Sequence, residues 1–210
     1  PAHNAKVSPQ LKFEEYFRTI MFKPSSTNLE ESAKKRYAGH VLFADGKPAD
    51  RLLYKGIEVR RSDQAELIKR TLLRFLELAL MEDKYDDAIE LIKTEYYNVR
   101  DGRSSLADIS IPQGITDMEK NSPRVRGVLL AEELFNTPYT GGEKPRLLYT
   151  RGNHDAFCIY DGIPIDQVPL KVRIDYPLMA EKIITKKMES YVLALGKNLR
   201  HILEGQQTLS

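Results

Sequence analysis

The stretch Ala33–Phe43, AKKRYAGHVLF, places three adjacent cations and a tyrosine at the head of an apolar run. Aromatic and β-branched residues bounded by turn formers read as a strand, so Lys34, Lys35, Arg36 and Tyr37 are expected on a sheet. Side chains alternate along a strand. That alternation predicts Lys35 and Tyr37 on one face, with Lys34 and Arg36 on the other.

Upstream, Leu11–Phe22, LKFEEYFRTIMF, is a second strand candidate bounded by Pro9 and Pro24. Its apolar positions do not alternate strictly, which predicts cover on both faces. Downstream, Asp45-Gly46 with Pro48 nearby is a turn signal, and Leu52–Arg60 reads as a third strand. The three together form a β-meander.

At Ser62-Asp63 the period changes. Either residue can cap a helix whose Leu67, Leu72, Leu73, Leu76 and Leu80 recur at near-helical spacing. A second helix is predicted over Asp83–Asn98, with adjacent acids Asp86 and Asp87 in its first turn, where the helix dipole favours them. Beyond it, Leu106–Ile115 reads as extended, Arg124–Phe135 as helical, and Arg146–Thr150 with Ala156–Tyr160 as a hairpin. Pro177–Leu195 is an amphipathic helix, and the remainder reads as a frayed tail. The predicted class is α+β: antiparallel strands first, then a mainly helical part with a small β element, with the change near residue 60.

Across 210 residues, Lys plus Arg number 32 against 30 for Asp plus Glu, a net charge of +2. Any polyanion binding must therefore come from local patches. The single cysteine, Cys158, excludes an internal disulfide and fits a cytoplasmic chain in which it is buried. No window approaches the roughly 18 apolar residues of a membrane span, and the N-terminus lacks a signal-peptide pattern, so no membrane partner is expected.

Two elements imitate chemistry. RGNHD, Arg151–Asp155, resembles the Gly-Asn-His-Asp/Glu element of metallophosphoesterases. A bridged metal pair needs further His and Asp ligands, yet there are four histidines in all, and His3, His40 and His201 lie in no matching element. A solvated turn is predicted instead. Gly102, Gly141 and Gly142 lack phosphate-loop or dinucleotide spacing.

The cationic strand acquires meaning from its sequel. KKRY is followed about twenty residues on by Tyr54–Asp63, YKGIEVRRSD, and together they resemble the palm-to-thumb region of family B DNA polymerases. In that family a Lys-Lys-x-Tyr element grips the primer minor groove, and a Lys-Gly-x-Glu stretch with arginines leads into the thumb. A lysine in the minor groove meets acceptors at every base pair, which permits contact without reading sequence. Further along, Gly114–Leu134, GITDMEKNSPRVRGVLLAEEL, resembles the segment where a Pro-His-Val element opens a thumb helix, here with Pro123 and Val125 but Arg124 for the histidine. Ile174–Gly196 resembles the final thumb helix of archaeal members.

The resemblance implies a palm part over 1–60, a thumb over 61–205 and a flexible tail over 206–210. It implies DNA contacts by Lys34, Lys35, Arg36, Tyr37, Lys55, Gly56, Glu58, Arg60, Arg61 and Arg124, with Arg100, Arg103 and Arg126 as looser phosphate candidates. The family's Asp-x-x-Ser-Leu-Tyr and Tyr-Gly-Asp-Thr-Asp elements, which carry its two-metal chemistry, do not occur here. The chain is thus expected to hold no catalytic residue, cofactor or metal of its own. It would act as the small subunit of a split archaeal polymerase, whose large subunit carries the exonuclease, the catalytic palm motifs and the aspartates that bind Mg. Pro1, a residue before which an initiator methionine is removed, fits a natural start. In the tail, Gln206 and Leu209 resemble the front half of a sliding-clamp peptide. The competing expectation is a stand-alone duplex-binding accessory module with a polymerase-derived thumb.

Overall fold

The computed structural model describes residues 14–24 and 32–205. Three strands, β1 (Glu15–Pro24), β2 (Ser32–Ala44) and β3 (Lys47–Lys55), form an antiparallel sheet in sequence order. The Asp45-Gly46 turn joins β2 to β3 with positive φ at both residues, 47° and 78°, the backbone that a two-residue hairpin loop requires. The meander is as predicted, and Leu11–Phe13 of the first predicted strand lie outside the described residues.

Cover on both faces is not found. Exposure alternates along β1, leaving Tyr16 (56%) and Phe22 (52%) open to solvent while Met21 is buried. The opposite side of the sheet packs on the helices, where β1 meets the last long helix. The third strand also stops early, because Glu58–Arg60 forms a 3-10 turn.

Helices α1 (Glu66–Leu76) and α2 (Tyr85–Arg100) follow, α1 continuing into a π-turn over Glu77–Met81. Neither Ser62 nor Asp63 caps α1; the N-cap is Ala65, without a side-chain bond. Asp63 is already engaged by Arg61, at 2.9 and 2.6 Å, and by Gln64. Leu106–Ile109, predicted extended, makes one helical turn, α3, because Ser105 Oγ accepts a bond from the Asp108 N–H at 3.1 Å. Strand β4 (Ile111–Pro112) then pairs with β5 (Arg146–Arg151), which also pairs with β6 (Ala156–Ile159) and β7 (Arg173–Ile174).

Helix α4 (Pro123–Phe135) lies on β6 and is capped by Ser122. Gly127 permits that contact, since a Cβ there would stand 2.9 Å from Cys158 Sγ. Cys158 is fully buried and burial pushes its thiol up to about 12, so it is packing rather than a nucleophile. The predicted terminal helix is α5 (Tyr176–Ala180), a π-turn (Glu181–Thr185) and α6 (Lys186–Ala194) in succession.

The frayed tail is corrected in part. Leu199–Glu204 forms α7, capped by Asn198 Oδ1 at 3.2 Å from the His201 N–H. Tyr97 ties it to α2 by donating to the Leu203 carbonyl at 2.9 Å. Buried residues from Met21 to Leu199 join into one core, to which the sheet contributes Met21, Ala38 and, just past β3, Ile57. No helix of the described residues is long and apolar enough to cross a membrane.

Candidate nucleic-acid interface

The cations of AKKRY do not sit on a regular strand. Between the pairs Phe22–Tyr37 and Pro24–Ser32, β1 advances two residues while β2 advances five. The extra residues of β2 form a bulge, a device that twists a strand end and re-aims its side chains. Lys35 lies within it at φ 58°, a left-handed conformation that a residue with a Cβ adopts at a cost. The simple alternation of Lys35 and Tyr37 against Lys34 and Arg36 is therefore corrected. All three cations are exposed and Tyr37 is half-buried, its ring against Phe17 and Phe22 at 6.2 Å each.

Gly56 supports the bulge from β3's end. It takes φ 65°, and a Cβ there would lie 2.5 Å from the Lys35 carbonyl oxygen and 3.2 Å from Arg36 Cγ. Lys55 Nζ stands 5.9 Å from the Tyr37 ring centroid and Arg60 5.1 Å from that of Tyr54. Aromatic faces hold these two cations without neutralising them.

Glu58 requires a correction, because it turns inward and is 6% exposed. It receives hydrogen bonds from Lys23 of β1 and from the Tyr191 hydroxyl of α6, the latter at 2.5 Å. Burial pushes its carboxyl up, but the bonds from Lys23 and Tyr191 outweigh that and hold it below the ordinary glutamate value. Tyr191 is pushed well up, first by burial and then by the Glu58 charge. Glu58 thus joins the sheet to α6 and offers nothing to a phosphate.

Pairing separates the remaining candidates. Arg61 is held by Asp63, Arg100 and Arg103 by Asp101, and Arg126 by Asp155. Such exposed pairs contribute little stability, yet they occupy guanidinium groups that a phosphate would have to compete for. Arg124 carries no ion pair among the described residues. It lines a concavity of about 540 Å³ with Lys182, Lys186 and Lys187, where Asp63 is the acidic residue.

These lysines went unread in the sequence because EKIITKK looks like the solvated face of an amphipathic helix. The π-turn supplies the missing step: it shifts the helical phase, and Lys182, Lys186 and Lys187 all line one concavity. Burial lowers Lys187 below the ordinary lysine value, against the pull of Glu58. The same residue senses Arg61, Asp63 and Lys23, while Arg36 acts on Tyr191. Lys187 thus lies within electrostatic reach of the buried Glu58, as Arg36 does of Tyr191, which hydrogen-bonds that same carboxylate.

Of the predicted residues, the structure gathers Lys34, Lys35, Arg36, Tyr37, Lys55 and Gly56 at the bulge and sets Arg124 in the concavity. Arg60 lies between them in sequence, on the turn that also bears Glu58. Gln206 and Leu209 lie outside the described residues. His154 and Asp155 occupy the exposed β5–β6 turn, as expected of a solvated element.

No family model matches the chain. It is 33% identical over 129 residues to a DNA polymerase of Archaeoglobus fulgidus, which is 60% of this chain and 15% of that protein. Over 163 residues it is 26% identical to the DNA polymerase delta catalytic subunit of Oryza sativa subsp. japonica, covering 70% of this chain and 15% of the relative. A DNA polymerase of Thermococcus aggregans is 34% identical over 84 residues, 40% of this chain and 4% of the relative. The similarity to family B DNA polymerases is thus distant and partial, and the chain spans about 15% or less of the length of the curated relatives it matches.

Proposed function

We propose that this chain is the small subunit of a split family B DNA polymerase, completing the palm with 1–60 and supplying the duplex-gripping thumb with 61–205. The observation that carries the reading is the concavity lined by Arg124, Lys182, Lys186 and Lys187, together with the exposed cations Lys34–Arg36 and Lys55 at the bulge, in a chain whose partial relatives are DNA polymerases. Such a surface holds the sugar-phosphate backbone of any duplex, which positions without specifying sequence.

The polymerase reaction requires Mg held by carboxylates. Among the described residues no group of three or more His, Cys, Asp or Glu could hold a metal ion, so those residues do not fit the metal. The catalytic aspartates are assigned to a larger partner, which primer-template DNA would bridge to this chain. The open face of β1, with Tyr16, Ile20 and Phe22 exposed, offers that partner apolar surface. The tail beginning at Gln206 is assigned to a sliding clamp.

The test is primer extension by material captured from the source lysate on a tagged copy of this chain, beside the purified chain alone. Extension by the captured material only is the expected result. Tight duplex binding with no extension in either sample would replace this reading with a stand-alone duplex-binding module.

A further inference from the structure

Strand β5 separates two concavities. Tyr149 lines the lysine concavity, whereas Thr150 and Arg151, at the end of the strand, line a second one of about 390 Å³. The second cup has an apolar floor of Leu130, Leu134 and Val172 under a rim bearing Arg151, Lys171 and Arg173, with Asn153 and His154 at the hairpin turn. Glu133 is the acid in its lining.

The rim is electrostatically unfinished. Arg151 and Arg173 are direct cross-strand partners of β5 and β7, and like charges in that position repel. Asp175 accepts a bond from Arg151 at 3.1 Å, but neither Arg173 nor Lys171 has an ion pair among the described residues. An anion seated between them would relieve the repulsion. A bare phosphate would use the rim alone, whereas a nucleotide also lays apolar surface on the leucine floor.

We propose that this cup is a second nucleic-acid site, taking one phosphorylated nucleotide unit of a single strand while the lysine concavity holds duplex. The choice of nucleotide as ligand rests on the nucleic-acid reading above. The cup itself rests on the Arg151–Arg173 pairing and its floor.

The experiment measures binding of a labelled oligo-dT strand and of a labelled duplex to the 210-residue chain, to Lys171→Glu/Arg173→Glu and to the neutral Lys171→Gln/Arg173→Gln. Single-strand affinity is expected to fall about tenfold or more with charge reversal, and the salt slope to drop by about 1.4 in the neutral variant, roughly 0.7 for each cation. The thermal midpoint should hold or rise slightly, since a repulsion is removed, and duplex affinity should fall clearly less than single-strand affinity. Single-strand affinity within about twofold of the parent chain in both variants, or an equal loss for strand and duplex, overturns the site. Competition by dTTP that disappears in the variants assigns the cup to free nucleotides; competition by unlabelled strands alone assigns it to a strand. Loss of duplex binding in Lys186→Ala/Lys187→Ala tests the duplex reading separately, through a different concavity.

Discussion

Gly56 approaches Lys35 so closely that a Cβ on Gly56 would stand 2.5 Å from the Lys35 carbonyl oxygen. The bulge that carries the cations is therefore seated on the one residue type that fits beneath it. Gly56→Ala is expected to destabilise the chain by about 1–3 kcal/mol, from backbone strain at positive φ and from overpacking. Because the bulge must move, duplex affinity should fall even under conditions where the variant is fully folded. A urea melt paired with a binding titration reads both.

Lys35→Gly separates conformation from charge. Glycine adopts the left-handed backbone of position 35 without the penalty a Cβ carries, about 1 kcal/mol. The variant should be as stable as the parent chain or more so, while losing one phosphate-range cation and about 0.9 of salt slope on duplex. Reduced stability in the melt would mean that the lysine side chain, rather than the bulge backbone, organises this corner.

Tyr191→Phe removes a hydroxyl donor from the buried Glu58 carboxylate, at an expected cost of about 1.5–3 kcal/mol. Lys23→Met, which leaves that carboxylate without its cation, should cost more, about 3–5 kcal/mol. Equilibrium unfolding of both variants at neutral pH checks the order.

Acid should unfold the chain partly through Glu58. Its folded carboxyl sits below the ordinary value of 4.5, so the unfolded chain takes up the proton first as pH falls. The stabilisation is complete above about pH 4.5 and is lost as pH drops through the folded value. In Tyr191→Phe the acid limb should move to higher pH, because a bond that lowers the folded value is gone. Fluorescence-monitored acid titration of the two chains gives the comparison.

Free and paired cations should behave differently. Lys186→Ala with Lys187→Ala is expected to lower the duplex salt slope by about 1.8 with little change in stability. Arg126→Ala, which breaks an exposed pair with Asp155, should change duplex affinity by less than about twofold and stability by at most about 1 kcal/mol. Salt-dependent binding isotherms distinguish the two.

Much of this was legible along the chain. Asp45-Gly46 specified its hairpin because only a few residue types tolerate two successive positive φ values. Leucine spacing specified α1, and the acids of Asp86-Asp87 and the proline of Pro123 marked helix starts. Errors fell where a local signal had another claimant. Asp63 reads as a cap until Arg61 takes its carboxylate, and Glu58 reads as part of a surface motif until Lys23 and Tyr191 draw it inside.

The amino-acid sequence by itself determined the order of strands and helices and the location of the cationic motif, since turn chemistry and hydrophobic period act over a few residues. The tertiary structure alone decided that three residues bulge at AKKR, that a π-turn gathers Lys182 with Lys186 and Lys187, and that Glu58 is drawn inside. Those outcomes depend on strand register, helical phase and partners far away in sequence, such as Glu58 and Tyr191, and no local pattern encodes them.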